Sequence, residues 1–319
     1  MRALVTGIDG FAGRHLAALL RARDDELHGT VRAADRAGAL AGLGATSLRP
    51  LDVRDGDAVA AAVAAVTPDV VFHLAGRTFV PAAAADPAGV FAVNALGTLH
   101  VLAATARHAP QARVVVVGSA DAYGDVPAAA QPIVESQALR PLSAYGASKA
   151  AADVLAGQWA DGMGLDVVRV RSFNHVGPGQ DPRFVCADFA RQLVEIAQGR
   201  RPPRIEVGDL DPVRDFSDVR DVVAAYVAVA ERGARGAVYN VCSGVGRTIR
   251  SLLDDLIAAV GVQVAIVPAP ERRRPTQVAR LVGSAAALTA TTGWRPRIPW
   301  ERTIADVVLT TDHTDVRSV

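Results

Sequence analysis

The stretch SAYGASK at residues 143–149 sets a phenol, Tyr145, four residues ahead of Lys149, and every other one of the chain's 34 lysine and arginine positions is arginine. On a helix that spacing puts Tyr145 and Lys149 on one face. An ammonium beside a phenol favours the phenolate and brings an ordinarily alkaline acid nearer neutrality. A GC-rich coding bias explains why lysine is rare here, but not why the survivor sits at this spacing. A compact ammonium fits beneath a phenol where a planar guanidinium is bulkier and differently aimed. Ser119 closes the run VVVVGS, where its hydroxyl can hydrogen-bond a substrate oxygen. Serine, tyrosine and lysine together suit proton transfer to or from an oxygen while a hydride moves at the carbon that bears it.

A hydride carrier is implied near the N-terminus. VTGIDGFAGRHL sets Gly7, Gly10 and Gly13 between a β-rich run and a helical one. Glycines there permit the tight turn and the close approach of a pyrophosphate, while Phe11, Ala12 and Gly13 open the helix whose N–H groups and dipole receive the anion. At the end of the second strand, HGTVRAADR offers Arg32 where a carboxylate would be expected for a free ribose diol. A guanidinium suits a 2′-phosphate, so the reading is NADP(H) rather than NAD(H). Asp52 and Val53 are expected beside the adenine, and Leu74, Ala75 and Gly76 beneath the cofactor.

These residues need a frame that brings strand ends together. Through residue 171 the chain alternates strand-like runs (ALVTG, LHGTVR, SLRPLDV, DVVFHLAG, ARVVVVGSA, LDVVRVRS) with helical ones such as FAGRHLAALLRAR and AYGASKAAADVLAGQWADGM. Continuous apolar strands indicate a parallel sheet buried on both faces, hence an α/β, Rossmann-like doubly wound fold. Beyond residue 172 proline, glycine and arginine accumulate. Residues 1–171 with about 215–243 are assigned to the cofactor-binding domain, and 172–214 with 244–319 to a smaller substrate-binding region.

With a net charge of +1 and no block of like charge, nucleic acid and anionic membranes are not expected partners. Cys186 and Cys242 have no zinc-ligand spacing around them, and no metal site is expected. MRALVTG enters a strand at once, and no apolar run is read as long enough to cross a bilayer. A cytoplasmic protein is expected.

With these motifs in place, the sequence resembles the extended short-chain dehydrogenase/reductase family almost end to end, through TGIDGFAG and YGASK. RSFNHVGPGQ, FVCADFARQLVEI, VRDFSDVRDVVAAY, VYNVCSGVGRTIRSLLD and GWRPRIPWERT narrow the likeness to GDP-6-deoxy-4-keto-mannose reductases, close relatives of GDP-mannose 4,6-dehydratases. The resemblance implies NADPH-dependent reduction of the 4-keto group of a nucleotide-linked 6-deoxysugar. It places Asn174 and Arg214 on the substrate, Arg214 through the diphosphate. It aligns RRRPTQV with an Arg-Pro-x-acid segment, which sets Arg274 and Gln277 near diphosphate and ribose, with Gln277 in place of the acid. By the same likeness His175 lies near the nicotinamide and Asp188 near the segment that reads guanine. Asp121 corresponds to an acid that serves dehydration in the dehydratases and does not itself separate the two activities. A homodimer through the alanine-rich helices at 84–107 and 146–163 is expected. The open alternatives are a 4,6-dehydratase, an epimerase or reductase on another nucleotide sugar such as a dTDP-linked one, and a non-catalytic NADP sensor.

Overall fold

The computed structural model describes residues 1–32, 41–269, 272 and 278–314. In chain order its strands and helices are β1 (Arg2–Thr6), α1 (Phe11–Ala22), β2 (Glu26–Val31), β3 (Ser47–Pro50), α2 (Gly56–Val66), β4 (Val70–His73), α3 (Val80–Ala85), α4 (Pro87–His108), β5 (Arg113–Ser119), α5 (Ala144–Gly162), β6 (Val167–Ser172), β7 (Asn174–Val176), α6 (Val185–Ala197), β8 (Arg204–Val207), β9 (Val213–Asp218), α7 (Val219–Arg232), β10 (Val238–Val241), β11 (Gly246–Thr248), α8 (Ile249–Val260), β12 (Ala265–Pro268), β13 (Arg280–Leu281), α9 (Ala286–Thr292) and α10 (Trp300–Thr314).

Seven parallel strands form the main sheet in the order β3–β2–β1–β4–β5–β6–β10. Runs such as Val70–His73 and Val114–Val116 are buried on both faces, which is why they read as unbroken apolar strands. One face is covered by α1 and α7, where Leu16, Ala17 and Leu20 meet Val222, Tyr226 and Val229. The other is covered by α2, α4 and α5, whose Val59, Val63, Val101, Leu102 and Ala156 share a second core. Strand order reverses between β1 and β4, so their ends, Thr6 beside His73, open a crevice at the carboxyl edge of the sheet.

The second region is built around β9, flanked by β7, β11 and β13, with β8 paired to β12. Helices α6, α8 and α10 close its core around Phe189, Leu193, Ile205, Leu252 and Ile304. Two segments pack otherwise than the sequence suggests. Residues 215–218 belong to β9 and hence to the second sheet, and Leu288 of α9 with Trp294 packs into the first core. The C-terminal stretch therefore returns to the core of the first sheet before α10 ends against Phe189 and Leu252.

Length and composition of α4 also correct the sequence reading: its 22 residues, with a mean hydropathy of 1.5 over an 18-residue window, are long and apolar enough to cross a bilayer. Half of that window is buried inside the fold, because α4 packs between α2 and α5. Its apolarity is that of a core helix, and a π turn at Ala92–Leu96 interrupts it.

Candidate functional site

The glycine loop crosses the crevice. Gly7 has φ +69°, and a Cβ there would lie 2.9 Å from Ala75 Cα, so only glycine lets the turn after β1 rest on Leu74–Gly76. A Cβ on Gly13 would lie 2.4 Å from the Gly7 carbonyl oxygen. Gly10 caps α1 without a side-chain acceptor, so the N–H groups of Phe11, Ala12 and Gly13 keep their free positions at the helix start. A cradle that any Cβ would fill, set against an uncapped helix N-terminus, fits a dinucleotide pyrophosphate. The Phe11 ring stacks on His175 at 5.9 Å and 4°, and edge-on to His15 at 5.4 Å. His175 is thereby joined to the glycine loop, and burial lowers its pKa, leaving the ring neutral.

Arg32 is exposed at the end of β2, and its charge acts on Asp52 beyond the adjacent β3. Asp52 is gripped by its neighbour: Arg54 Nε and Nη2 donate to the carboxylate at 3.0 and 2.5 Å, which holds it below the usual carboxylate range. Val53 is buried against Gly97, and its carbonyl accepts from His100 Nδ1 at 2.8 Å.

Ser143 caps α5 by accepting from Gly146 N at 3.0 Å, and the helix then presents Tyr145 and Lys149, both 7% exposed, to the end of β5. Lys149 Nζ donates to the Val117 carbonyl at 2.8 Å, two residues before Ser119. A Cβ on Gly76 would lie 3.4 Å from that Nζ, so the cofactor loop and the lysine meet through a missing side chain. The Ser119 hydroxyl lies close enough to the Tyr145 phenol to oppose the rise in its pKa, and it accepts from Asp121 N at 3.2 Å.

The electrostatics reverse one expectation. Burial drives the Tyr145 pKa well above the usual phenol value, the Asp121 charge adds to the rise, and the Ser119 hydrogen bond only opposes it. Lys149 is lowered by burial to about 8, so it loses its proton before the phenol does, and burial outweighs whatever lowering its ammonium gives the phenol. Below pH 8 the pair is ammonium and protonated phenol. Burial also raises Asp121 against the pull of the Arg214 charge, while burial lowers Arg214 against Asp121 and Asp209. Arg214 is steadied by donating to the Val213 and Val278 carbonyls at 2.9 Å each. Ser119, Asp121 and Tyr145 thus act on one another near the end of β5, with the Arg214 charge on Asp121 and Lys149 on Val117, and Asn174 stands exposed on β7 beside β9.

Asp188 Oδ1 accepts from Arg191 at 2.9 Å, and its Oδ2 accepts from Gln192 at 2.9 Å and Arg272 at 2.6 Å, so within the protein three bonds compete with any contact to a base. Arg274 and Gln277 lie outside the described residues.

His73 and Asn94 escaped the sequence reading. Thr98 Oγ1 donates to the Asn94 carbonyl at 2.6 Å, so His73 Nε2–H must donate to Thr98 at 3.1 Å and His73 Nδ1 must accept from Thr6 Oγ1 at 2.8 Å. Thr6 in turn accepts from Ala75 N at 3.2 Å. Asn94, inside the π turn, donates to Ser148 Oγ at 2.9 Å, and Ser148 donates to the Tyr145 carbonyl at 2.7 Å. This train ties the cofactor loop to the Tyr145 helix. Its sequence signal lies in HLAG and VNALGT, polar residues inside otherwise apolar runs.

A family model described as GDP-mannose 4,6 dehydratase matches residues 4–307. The GDP-6-deoxy-D-mannose reductase of Pseudomonas aeruginosa is 39% identical over 311 residues, covering 96% of this chain and 96% of that protein. The solved structure of RMD from Pseudomonas aeruginosa complexed with NADPH matches with a TM-score of 0.85 and 36% identity, over 98% of this chain and 100% of the other. The UDP-glucose 4-epimerase of Thermus thermophilus in complex with NAD matches with a TM-score of 0.87 and 32% identity, over 98% of this chain and 99% of the other. The chain belongs to the GDP-mannose 4,6 dehydratase family.

Proposed function

We propose that the protein uses NADPH to reduce the 4-keto group of a GDP-4-keto-6-deoxyhexose, giving a GDP-6-deoxyhexose such as GDP-rhamnose. The reductase at 39% identity, aligned over nearly the whole of both chains, supports this substrate class over the epimerase at 32%. The observation that carries the reading is the placement of Tyr145 and Lys149, one helical turn apart and both buried, against the end of β5 at Ser119, with Lys149 Nζ on the Val117 carbonyl. That placement suits a proton donor, as ketone reduction requires.

NADPH, when bound, supplies the hydride. Gly7, Gly10, Phe11, Ala12 and Gly13 receive its diphosphate, Arg32 its 2′-phosphate, Asp52 and Val53 flank the adenine, and Leu74–Gly76 with His175 line the remainder. Ser119 orients the ketone oxygen, Tyr145 donates its proton to that oxygen, and Lys149 stabilises the phenolate left behind. Arg214, a half-buried cation whose side-chain hydrogen bonds among the described residues run only to two carbonyls, receives the substrate diphosphate, with Asn174 beside it. Arg274 and Gln277 are assigned to diphosphate and ribose by resemblance alone, and Asp188 is given no contact with the base.

The test is purified protein with NADPH and GDP-4-keto-6-deoxymannose, followed at the nicotinamide absorbance band with the product identified by NMR. Stoichiometric NADPH oxidation supports the reading. Conversion of GDP-mannose with no net NADPH consumption would instead make this a 4,6-dehydratase, a reaction that the Asp121 carboxyl beside Tyr145 neither requires nor excludes.

We further propose a cytoplasmic homodimer. Helices α4 and α5 lie side by side and expose Phe91, Leu96 and Val154, an apolar face suited to a second copy. Two buried free cysteines suit a reducing compartment. Light scattering should give a dimer for the wild type and a monomer for Leu96→Glu/Val154→Glu.

A further inference from the structure

Tyr145 and Lys149 are followed at the same four-residue interval by Asp153, which is 4% exposed and faces the sheet with them. Both oxygens of Asp153 are held by Arg171 of β6: Nε and Nη2 each donate at 2.9 Å, in a two-bond fork. Arg169, two residues earlier on β6, adds a third bond at 3.2 Å, and Gly157 leaves the room its guanidinium needs, since a Cβ there would lie 2.8 Å from Nη1. In the ladder Arg171 faces Gly118, the residue before Ser119. Helix α5 is therefore fastened to the strands at two heights, Lys149 on Val117 and Asp153 on Arg171, with Tyr145 one turn above beside Ser119.

The remaining guanidinium nitrogen of Arg171 donates to Tyr123 Oη at 3.0 Å and to the Glu135 carbonyl at 2.9 Å. Tyr123 donates to Asn240 Oδ1 at 2.7 Å, Asn240 N donates to Glu135 Oε1 at 2.8 Å, and Asn240 Nδ2 donates to the Ile133 carbonyl at 2.9 Å. One side chain thus joins the Tyr145 helix, the turn that follows Ser119 and Asp121, and the loop that leads into α5.

We infer that Arg171 and Asp153 are positioning residues for the reduction, setting the height of the Tyr145 phenol against Ser119 through the forked ion pair. A buried pair can also serve stability alone, and well-packed apolar replacements often restore stability where a pair is removed. That difference makes the roles separable. The inference rests on the proposed reductase reading, and wild-type NADPH oxidation by the ketosugar tests that reading separately.

The variants are Asp153→Asn, Arg171→Lys and the apolar double variant Asp153→Leu/Arg171→Met. Each is measured for kcat, substrate KM, NADPH affinity by fluorescence, melting temperature and hydrogen exchange of peptides from residues 143–152. A misplacement of about 1 Å at the reacting groups lowers turnover by up to about 10²-fold. The expected result is a kcat loss of roughly ten- to a hundredfold in all three, with KM and NADPH affinity nearly unchanged and faster exchange in the first turns of α5. The double variant should regain melting temperature without regaining kcat. Any folded variant that keeps wild-type kcat overturns the inference, as does recovery of kcat together with stability in the double variant. Should the wild type oxidise no NADPH, the exchange arm decides: unchanged protection at 143–152 in the folded variants overturns the positioning role on its own.

Discussion

Burial raises the pKa of the Tyr145 phenol and the Asp121 charge adds to that rise, while burial also raises Asp121 against the lowering pull of Arg214. A group assigned to the substrate diphosphate is thus connected, through one buried acid, to the group that delivers the proton. An anion compensating Arg214 would weaken the one charge that opposes the rise in Asp121.

Arg214→Ala should therefore act on substrate binding first. Loss of a buried contact to a charged diphosphate is worth about 2–5 kcal/mol, so kcat/KM for the ketosugar nucleotide should fall by at least about thirtyfold, mostly through KM. NADPH affinity should hardly move. Steady-state kinetics with each ligand varied in turn checks this, and equal losses for both ligands would count against the assignment.

Arg32→Asp should change the cofactor preference. The residue is exposed at the end of β2 with its charge toward Asp52, and a carboxylate in its place repels a 2′-phosphate. A charged hydrogen bond of about 1.5–3 kcal/mol corresponds to roughly ten- to a hundredfold weaker NADPH binding. NADH binding should be unchanged or stronger. Equal wild-type affinities for the two cofactors would defeat the prediction.

Gly7→Ala combines two penalties, a φ of +69° and a Cβ placed 2.9 Å from Ala75 Cα. The turn must move off Leu74–Gly76, so NADPH affinity should fall at least about tenfold, with about 1–2 kcal/mol lost from stability. Fluorescence titration and thermal melting read the two effects separately.

The main sheet was legible because a parallel sheet covered on both faces demands continuous apolar strands, and the helical run that became Ala144–Gly162 stood out between two of them. The glycine loop and the Tyr145–Lys149 pair were legible for a related reason: local spacing alone determines which side chains share a face. What spacing cannot convey is the environment met across the fold. Spacing predicts an acidified phenol, yet burial outweighs the neighbouring ammonium. Asp188 reads as a free acceptor, whereas Arg272, 84 residues away, occupies it. The return of Trp294 to the first core is likewise a long-range event, fixed by its Nε1 donating to the Asp221 carbonyl at 3.0 Å.

Lys149 carries the sharpest expectation, because burial sets its stability effect against its chemical one. Its pKa is lowered from 10.5 to about 8, so the folded state binds the proton less well than the unfolded state. Below about pH 8 both states hold the proton and the folded chain bears the full penalty, on the order of 3 kcal/mol at ~1.4 kcal/mol per pKa unit. Between pH 8 and 10.5 the unfolded state binds more protons, so wild-type stability rises with pH through this window. Lys149→Met should therefore melt higher than wild type at pH 7, with the advantage shrinking as pH approaches 10. The same variant should lose turnover by roughly 10²–10⁴-fold, because no cation remains to stabilise the phenolate of Tyr145. Wild-type turnover should decline as pH rises through about 8, where the ammonium is lost while the phenol is still protonated. Lys149→Arg keeps its charge throughout, so its weakened turnover should show no such decline. Melting curves and pH–rate profiles of the three proteins test both halves. A wild-type profile flat from pH 7 to about 9, or a Lys149→Met variant less stable than wild type at pH 7, would show that the lysine is not the buried, titrating cation described here.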